Sequence, residues 1–193
     1  MILFFLLLGY LSGSLPFAVW ITRWRTGTDI RATGSGHATT TNVIRTQGFG
    51  WGALVLLLDI TKGFLPVYLV LRLDAPWYWA VLTGVCAVAG HIWPLFAGFR
   101  GGMGLATTAG GLLALYPLSF PVGLGILIVL LLTLRHGARA SVFAALALAP
   151  VYIALHFPAN VVWFAALDGV LIAVRFASDW QRQYRELWLD REN

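Results

Sequence analysis

Residues 105–134 read LATTAGGLLALYPLSFPVGLGILIVLLLTL, and the way this run divides decides how the chain threads a bilayer. A spanning helix needs about 20 mainly apolar residues, so the run is too long for one crossing. Pro117 and Pro121 lie near its middle, and proline interrupts the hydrogen-bond ladder of a helix interior. The run therefore splits into segments 105–116 and 120–134, the first short and the second tilted or partly buried. Working outward, further apolar segments cover residues 2–22, 51–71 and 77–96 before it, and 141–157 and 161–176 after it. The reading is an all-α, polytopic helical bundle of seven spans, forming one domain over residues 1–193.

Composition agrees. The chain is 59% hydrophobic and 11% charged, with a mean hydropathy of +0.80, whereas soluble domains carry about 25% charged residues. So little charge does not cover a water-facing surface, and lipid must solvate the remainder. The first eight residues lack a basic n-region and run on as apolar sequence, so the first segment is expected to stay as a span rather than be cleaved.

Of the thirteen Lys and Arg residues, Arg23, Arg25, Arg31, Arg45, Arg100, Arg135, Arg139, Arg175, Arg182, Arg185 and Arg191 fall on one side of a seven-span chain. Arg72 falls on the other, and Lys62 lies within a span. Short loops rich in Lys and Arg stay cytoplasmic, which places the N-terminus outside and the C-terminus in the cytoplasm. Keeping 105–134 as one bent helix would put Arg135 opposite Arg100 and break the asymmetry. Trp77, Trp79, Trp93, Trp163 and Trp180 sit near span boundaries, as interfacial aromatics do. The net charge of +5 accompanies the spans and forms no nucleic-acid module, so the expected partner is membrane lipid and not nucleic acid.

Polar chemistry gathers in two loops on the basic side. The first reads Thr33-Gly34-Ser35-Gly36-His37-Ala38-Thr39-Thr40-Thr41-Asn42-Val43-Ile44-Arg45. Its glycines let backbone N–H groups turn toward one point, and its hydroxyls add donors. Arg45 offers a two-pronged contact to phosphate, and a short helix starting near Thr39 would add a positive dipole end. The second loop runs from Gly90-His91 to Arg100-Gly101-Gly102-Met103-Gly104 and enters the next span directly. Arg100, the glycine backbone and that span's N-terminus make a second expected anion site. The glycines also read as close helix packing.

Other groups have plainer readings. His91 is either a general base or a hydrogen-bonding orienter of the loop. Histidine and cysteine spacing gives no metal site, and Cys86, the one cysteine, reads as a small buried hydrophobe. His136 is expected at the interface, and His156 near the outer face has no chemical partner in view. Asp59 and Lys62, three residues apart within a span, are expected to pair on one helix face. Asp168 has no local partner in its span and is expected to meet another helix.

The loops resemble those of the bacterial membrane glycerol-3-phosphate acyltransferases that use acyl phosphate as donor. The resemblance rests on motifs in family order: Gly13-Ser14-Leu15-Pro16-Phe17, Asp29-Ile30-Arg31 with Gly34-Ser35-Gly36, Thr41-Asn42-Val43-Ile44-Arg45-Thr46, Leu57-Leu58-Asp59-Ile60-Thr61-Lys62-Gly63, and Gly90-His91 through Gly104-Leu105-Ala106-Thr107. It implies seven spans with cytoplasmic active-site loops. It also implies transfer of an acyl chain from acyl phosphate to the sn-1 hydroxyl of glycerol 3-phosphate, giving lysophosphatidate with no cofactor. Carried over, Ser35 is the catalytic candidate, and Gly34, Gly36, His37, Thr41, Asn42, Arg45, His91, Arg100, Gly101, Gly102 and Gly104 line the substrate sites.

The chain departs from the family pattern at several places. His37 stands for Asn, Thr39 for Gly, Thr40 for Ala and Met103 for a phosphate-binding Lys. Ala138 replaces a Ser, and the family's His…Asn-x-x-Arg reads Arg175…Asp179-Trp180-Gln181-Arg182. These differences keep two alternatives open: a divergent or inactive paralogue with another substrate or a lipid-binding or regulatory role, and a small transporter.

Overall fold

The computed structural model describes residues 2–73 and 75–182; Arg185 and Arg191 lie outside them. Nine α-helices follow one another among the described residues: α1 Ile2–Gly13, α2 Phe17–Thr26, α3 Thr40–Gln47, α4 Phe49–Leu71, α5 Trp77–Ile92, α6 Leu105–Leu115, α7 Ser119–Leu134, α8 Gly137–Ala154 and α9 Ala159–Ala177. The stretches Leu3–Thr26, Phe49–Leu71, Trp77–Ala97, Gly137–Ala154 and Ala159–Ala177 are long and apolar enough to cross a membrane, and α6 and α7 are shorter apolar helices. Large apolar side chains such as Phe4, Leu57, Val129, Ile153 and Val174 stand more than half exposed, as lipid-facing positions do.

The seven apolar segments of the sequence reappear in order, with two differences. The first is not one helix. Pro16 has no N–H, so α1 stops at Gly13 and α2 begins at Phe17. The Leu15 carbonyl in the break accepts a hydrogen bond from Lys62 Nζ at 2.8 Å, and Ser12 Oγ donates to the Lys62 carbonyl at 2.8 Å. Lys62 also pairs with Asp59 Oδ1 at 2.8 Å, both side chains 3% exposed. The intramembrane pair thus braces a helix break.

The second difference lies at 105–134. The chain breaks at Tyr116–Leu118, where Ser119 Oγ donates to the Tyr116 carbonyl at 2.7 Å and Tyr152 Oη to the Ser119 carbonyl at 2.7 Å. It is α6, rising only about 16 Å, that lies inside, against α4, α5 and α9. The longer α7 lies outside on α8, with only Ser119 and Gly123 buried. Small residues let α6 in: a Cβ on Gly63 would strike the Thr107 carbonyl and one on Gly110 the Ile60 carbonyl, the close backbone approach expected between membrane helices.

Candidate active site

The first loop is folded around one side chain. Asn42, fully buried at the start of α3, shares the two hydrogens of its Nδ2 among the carbonyls of Ile30, Thr33 and His37 at 3.1, 3.0 and 3.0 Å. Its Oδ1 accepts from the Ser35 N–H at 3.0 Å. Gly34 turns at φ +54°, and a Cβ there would collide with that oxygen. Thr39 caps α3, its Oγ1 accepting from the Asn42 N–H at 3.3 Å. Helix α3 therefore starts where the hydroxyl run places it.

Arg31 ties this loop to the second one. Its Nε and Nη2 bond Asp29 Oδ1 and Oδ2 at 3.0 and 2.7 Å, and its Nη1 donates to the Ala97 and Arg100 carbonyls at 2.6 and 3.0 Å. The hydrogen-bonded guanidinium holds the Asp29 carboxyl well below the usual carboxylate range, and Asp29 in turn raises Arg31. Within the second loop, the N–H groups of Gly101 and Gly102 donate to the Ile92 and His91 carbonyls at 3.2 and 3.1 Å. They satisfy the carboxyl end of α5. This corrects the expectation that these glycine N–H groups face an anion; what lines the cavity from this stretch is the start of α6, Gly104 (φ +96°), Leu105 and Ala106.

A third element closes the arrangement. Arg175, in the last turn of α9, donates from Nε to the Gly102 carbonyl at 3.1 Å and from Nη2 to His37 Nδ1 at 3.0 Å. With Nδ1 accepting, the neutral ring carries its proton on Nε2, which lies 2.8 Å from Asp179 Oδ2. Arg182 Nη1 approaches the same nitrogen to 3.4 Å. Burial pushes His37 below its ordinary value and outweighs the pull of Asp179, and the two arginines add to the lowering.

These parts enclose a cavity of about 640 Å³. At one end stand Ser35, His37, Thr41, Arg45 and the start of α6 at Gly104; toward the other, Leu112, Leu127 and Leu148 form an apolar wall. Two helix N-termini, those of α3 and α6, thus open onto the polar end, where backbone N–H groups and helix dipoles favour an anion.

Of the twelve residues expected from the sequence, Ser35, His37, Thr41, Arg45, His91 and Gly104 line the cavity. Gly34, Gly36, Asn42, Gly101 and Gly102 lie off its wall and shape the loops behind it. Arg100 is exposed and contributes its carbonyl to Arg31. His91 lines both this cavity and a smaller one, with Nδ1 3.7 Å from Asp59 Oδ1. His136, between α7 and α8, is buried and caps α8, its Nδ1 accepting from the Arg139 N–H at 3.4 Å. Sequence reasoning missed the Arg31 and His37–Asp179 clasps; the motif Asp29-Ile30-Arg31 was the available signal for the former. Among the described residues, no three His, Cys, Asp or Glu side chains gather to hold a metal ion.

The family model described as glycerol-3-phosphate acyltransferase matches residues 3–186. A glycerol-3-phosphate acyltransferase of Myxococcus xanthus is 53% identical over 113 residues, a stretch that spans 58% of this chain and 58% of that relative. Two crystal structures of PlsY (YgiH), an integral membrane glycerol 3-phosphate acyltransferase, share the fold. Its glycerol 3-phosphate form superposes with a TM-score of 0.83 at 33% identity, covering 94% of this chain and 90% of that one. Its lysophosphatidic acid form gives 0.81 at 31% identity with the same coverage. The chain is a multi-pass integral membrane protein and belongs to the glycerol-3-phosphate acyltransferase family.

Proposed function

We propose that the protein, as one transmembrane acyltransferase domain, transfers an acyl chain from acyl phosphate to the sn-1 hydroxyl of glycerol 3-phosphate, at loops that face the cytoplasm. The observation that carries this reading is the larger cavity. Arg45 and the N-termini of α3 and α6 line its polar end, and an apolar groove large enough for a hydrocarbon chain continues from it. Phosphate and acyl chain would each meet the surface they require. The excess of arginine on one side of the spans supports the cytoplasmic orientation.

In the reaction, the sn-1 oxygen attacks the acyl carbonyl, the carbonyl–phosphate C–O bond breaks, and the departing phosphate takes the hydroxyl proton. Charge develops on the carbonyl oxygen, and donors aimed at that point stabilise it. Ser35, buried at the cavity's polar end, and the first-turn N–H groups of α6 are assigned this role. Arg45 is assigned to phosphate, and Asn42 holds Ser35 in place.

The test is turnover by purified protein in lipid, supplied with acyl phosphate and glycerol 3-phosphate, following lysophosphatidate and phosphate. Loss of activity by more than about a hundredfold in Ser35→Ala and Arg45→Ala supports the proposal. Folded protein without turnover, regained in Met103→Lys, supports a divergent paralogue instead; Met103 lines the cavity, 8% exposed, and offers no charge there. Solute flux in proteoliposomes without acyl transfer would favour a transporter.

A further inference from the structure

One ionisable group stands in the apolar part of the cavity wall. Asp168 of α9 is 2% exposed, and both it and Thr108 of α6 line the cavity. Thr108 Oγ1 donates to Asp168 Oδ2 at 2.7 Å. Asp168 Oδ1 is buried with no hydrogen-bond partner among the described residues. Leu112, Ala145, Leu148 and Ile172 line the same stretch. A groove built only for methylene groups has no use for a carboxyl group, because a buried acceptor without a donor is costly.

The position of the group along the groove is readable from two helices. Asp168 lies two helical turns before Arg175 on α9, about 10 Å along the axis, and Arg175 grips His37 and Gly102 at the polar end. Thr108 lies one turn into α6, its N–H donating to the Gly104 carbonyl at 2.9 Å. Both place the carboxyl below the phosphate end, beside the body of a bound chain and not beside its carbonyl carbon.

We propose that Asp168, backed by Thr108, is a hydrogen-bonding subsite inside the acyl groove that selects donors bearing a hydroxyl some way along the chain. The inference rests on reading the cavity as an acyl groove. A chain hydroxyl donates to Asp168 Oδ1 and completes its hydrogen bonding, whereas a plain chain leaves the oxygen against methylenes. Ala109, the small residue next to Thr108, lines the cavity wall beside the pair, whereas Gly169 lets the Ala145 carbonyl of α8 pack closely against α9.

The experiment compares three acyl phosphates of equal length: unsubstituted, hydroxylated mid-chain, and hydroxylated next to the carbonyl. Purified protein in lipid is used, and kcat/KM is read for each. In parallel, the corresponding lysophosphatidates compete for binding to the same protein. The wild type should favour the mid-chain hydroxyl about tenfold or more over both others in turnover and binding, and Asp168→Leu should bring the ratios to near parity. Equal use of the three donors by the wild type, or a preference that survives Asp168→Leu, overturns the proposal and leaves Asp168 as a partner of Thr108 and ordered water. Should no donor turn over, the acyl-transfer reading fails by itself, and the binding ratio still decides: a tenfold preference supports the subsite and parity overturns it. If Asp168→Leu does not fold, Asp168→Asn serves, since the neutral amide should narrow the ratio without emptying the site of polar atoms.

Discussion

His37 Nε2 lies 2.8 Å from Asp179 Oδ2, across 142 positions of sequence, and Arg175 Nη2 holds the other ring nitrogen at 3.0 Å. Both residues are departures from the family pattern, which has Asn at each place. In this chain they are partners, joining the first loop to the end of α9 through an imidazole–carboxylate contact, so the two residues are expected to act as one. A double-mutant cycle should show this coupling. His37→Ala and Asp179→Ala should each lower kcat/KM, and the double variant should lose little beyond the worse single one. The pair His37→Asn with Asp179→Asn should retain more activity than either single asparagine variant. Additive losses would mean that the two side chains work independently.

The same clasp predicts a pH dependence. His37 is held below its ordinary value near 6.5, chiefly by burial, so the unfolded chain binds the proton more readily than the folded one. Stability from this residue is therefore complete above about 6.5 and is lost as pH falls through the lower folded-state value. Protonation also turns Nδ1 from acceptor to donor and sets two cations against each other at Arg175. Thermal unfolding in detergent, followed from pH 8 to pH 5, should show a decline in the wild type that His37→Gln flattens. An unchanged decline in that variant would assign the titration elsewhere.

Asn42 should matter more for folding of the loop than its distance from the substrate suggests. Truncation to Ala leaves three carbonyls and the Ser35 N–H without their partner. Each buried group left unsatisfied costs roughly 1–3 kcal/mol. Asn42→Ala should unfold at a clearly lower temperature and lose nearly all turnover, while Arg45→Ala should lose turnover with little change in unfolding temperature. Equal stability of the two variants would contradict the division of labour between a loop organiser and a substrate contact.

The order of the apolar segments was legible because a bilayer imposes length and composition directly on sequence, though not the division of the first at Pro16; the prolines at 117 and 121 marked a break that the structure places at Tyr116–Leu118. The existence of the polar site was legible for a similar reason, since Gly, Ser, Thr, Asn and Arg crowd into two loops otherwise surrounded by lipid-soluble sequence. What each donor does was not. Gly101 and Gly102 look like anion cradles until α5 ends beneath them and claims their N–H groups. Arg100 looks like a phosphate ligand until Arg31 fixes the loop by its carbonyl and leaves its side chain at the surface. Asn42 acquires its three acceptors only after residues 30–37 have folded over it. These assignments depend on docking between distant segments, which local spacing does not encode.

Gly102 offers a direct test of that docking. A Cβ there would collide with His91 Nε2 and lie 2.7 Å from the Ala38 carbonyl oxygen, so the side chain has no room between the two loops. Gly102→Ala should separate them and weaken the hold of Arg175 on the Gly102 carbonyl. A fall in kcat/KM of more than about tenfold is expected, with helix content by circular dichroism unchanged. Near-normal turnover would show that the loops tolerate separation and that their tight apposition is not needed.

Lys62 illustrates how an intramembrane charge can be structural. Its ammonium meets Asp59 at 2.8 Å and the Leu15 carbonyl at 2.8 Å, joining α4 to the break that Pro16 makes between α1 and α2. Replacement by Met fills similar volume but strands a buried carboxylate, which among the described residues keeps His91 Nδ1 at 3.7 Å, a cation when protonated. Breaking a buried pair from one side costs about 3–5 kcal/mol, whereas replacing both partners by apolar groups is often close to neutral. Lys62→Met should thus lower the unfolding temperature sharply, and Asp59→Leu added to it should restore part of the loss. If the double variant is no more stable than the single one, bracing of the Leu15 carbonyl, and not charge pairing with Asp59, is the dominant role of Lys62.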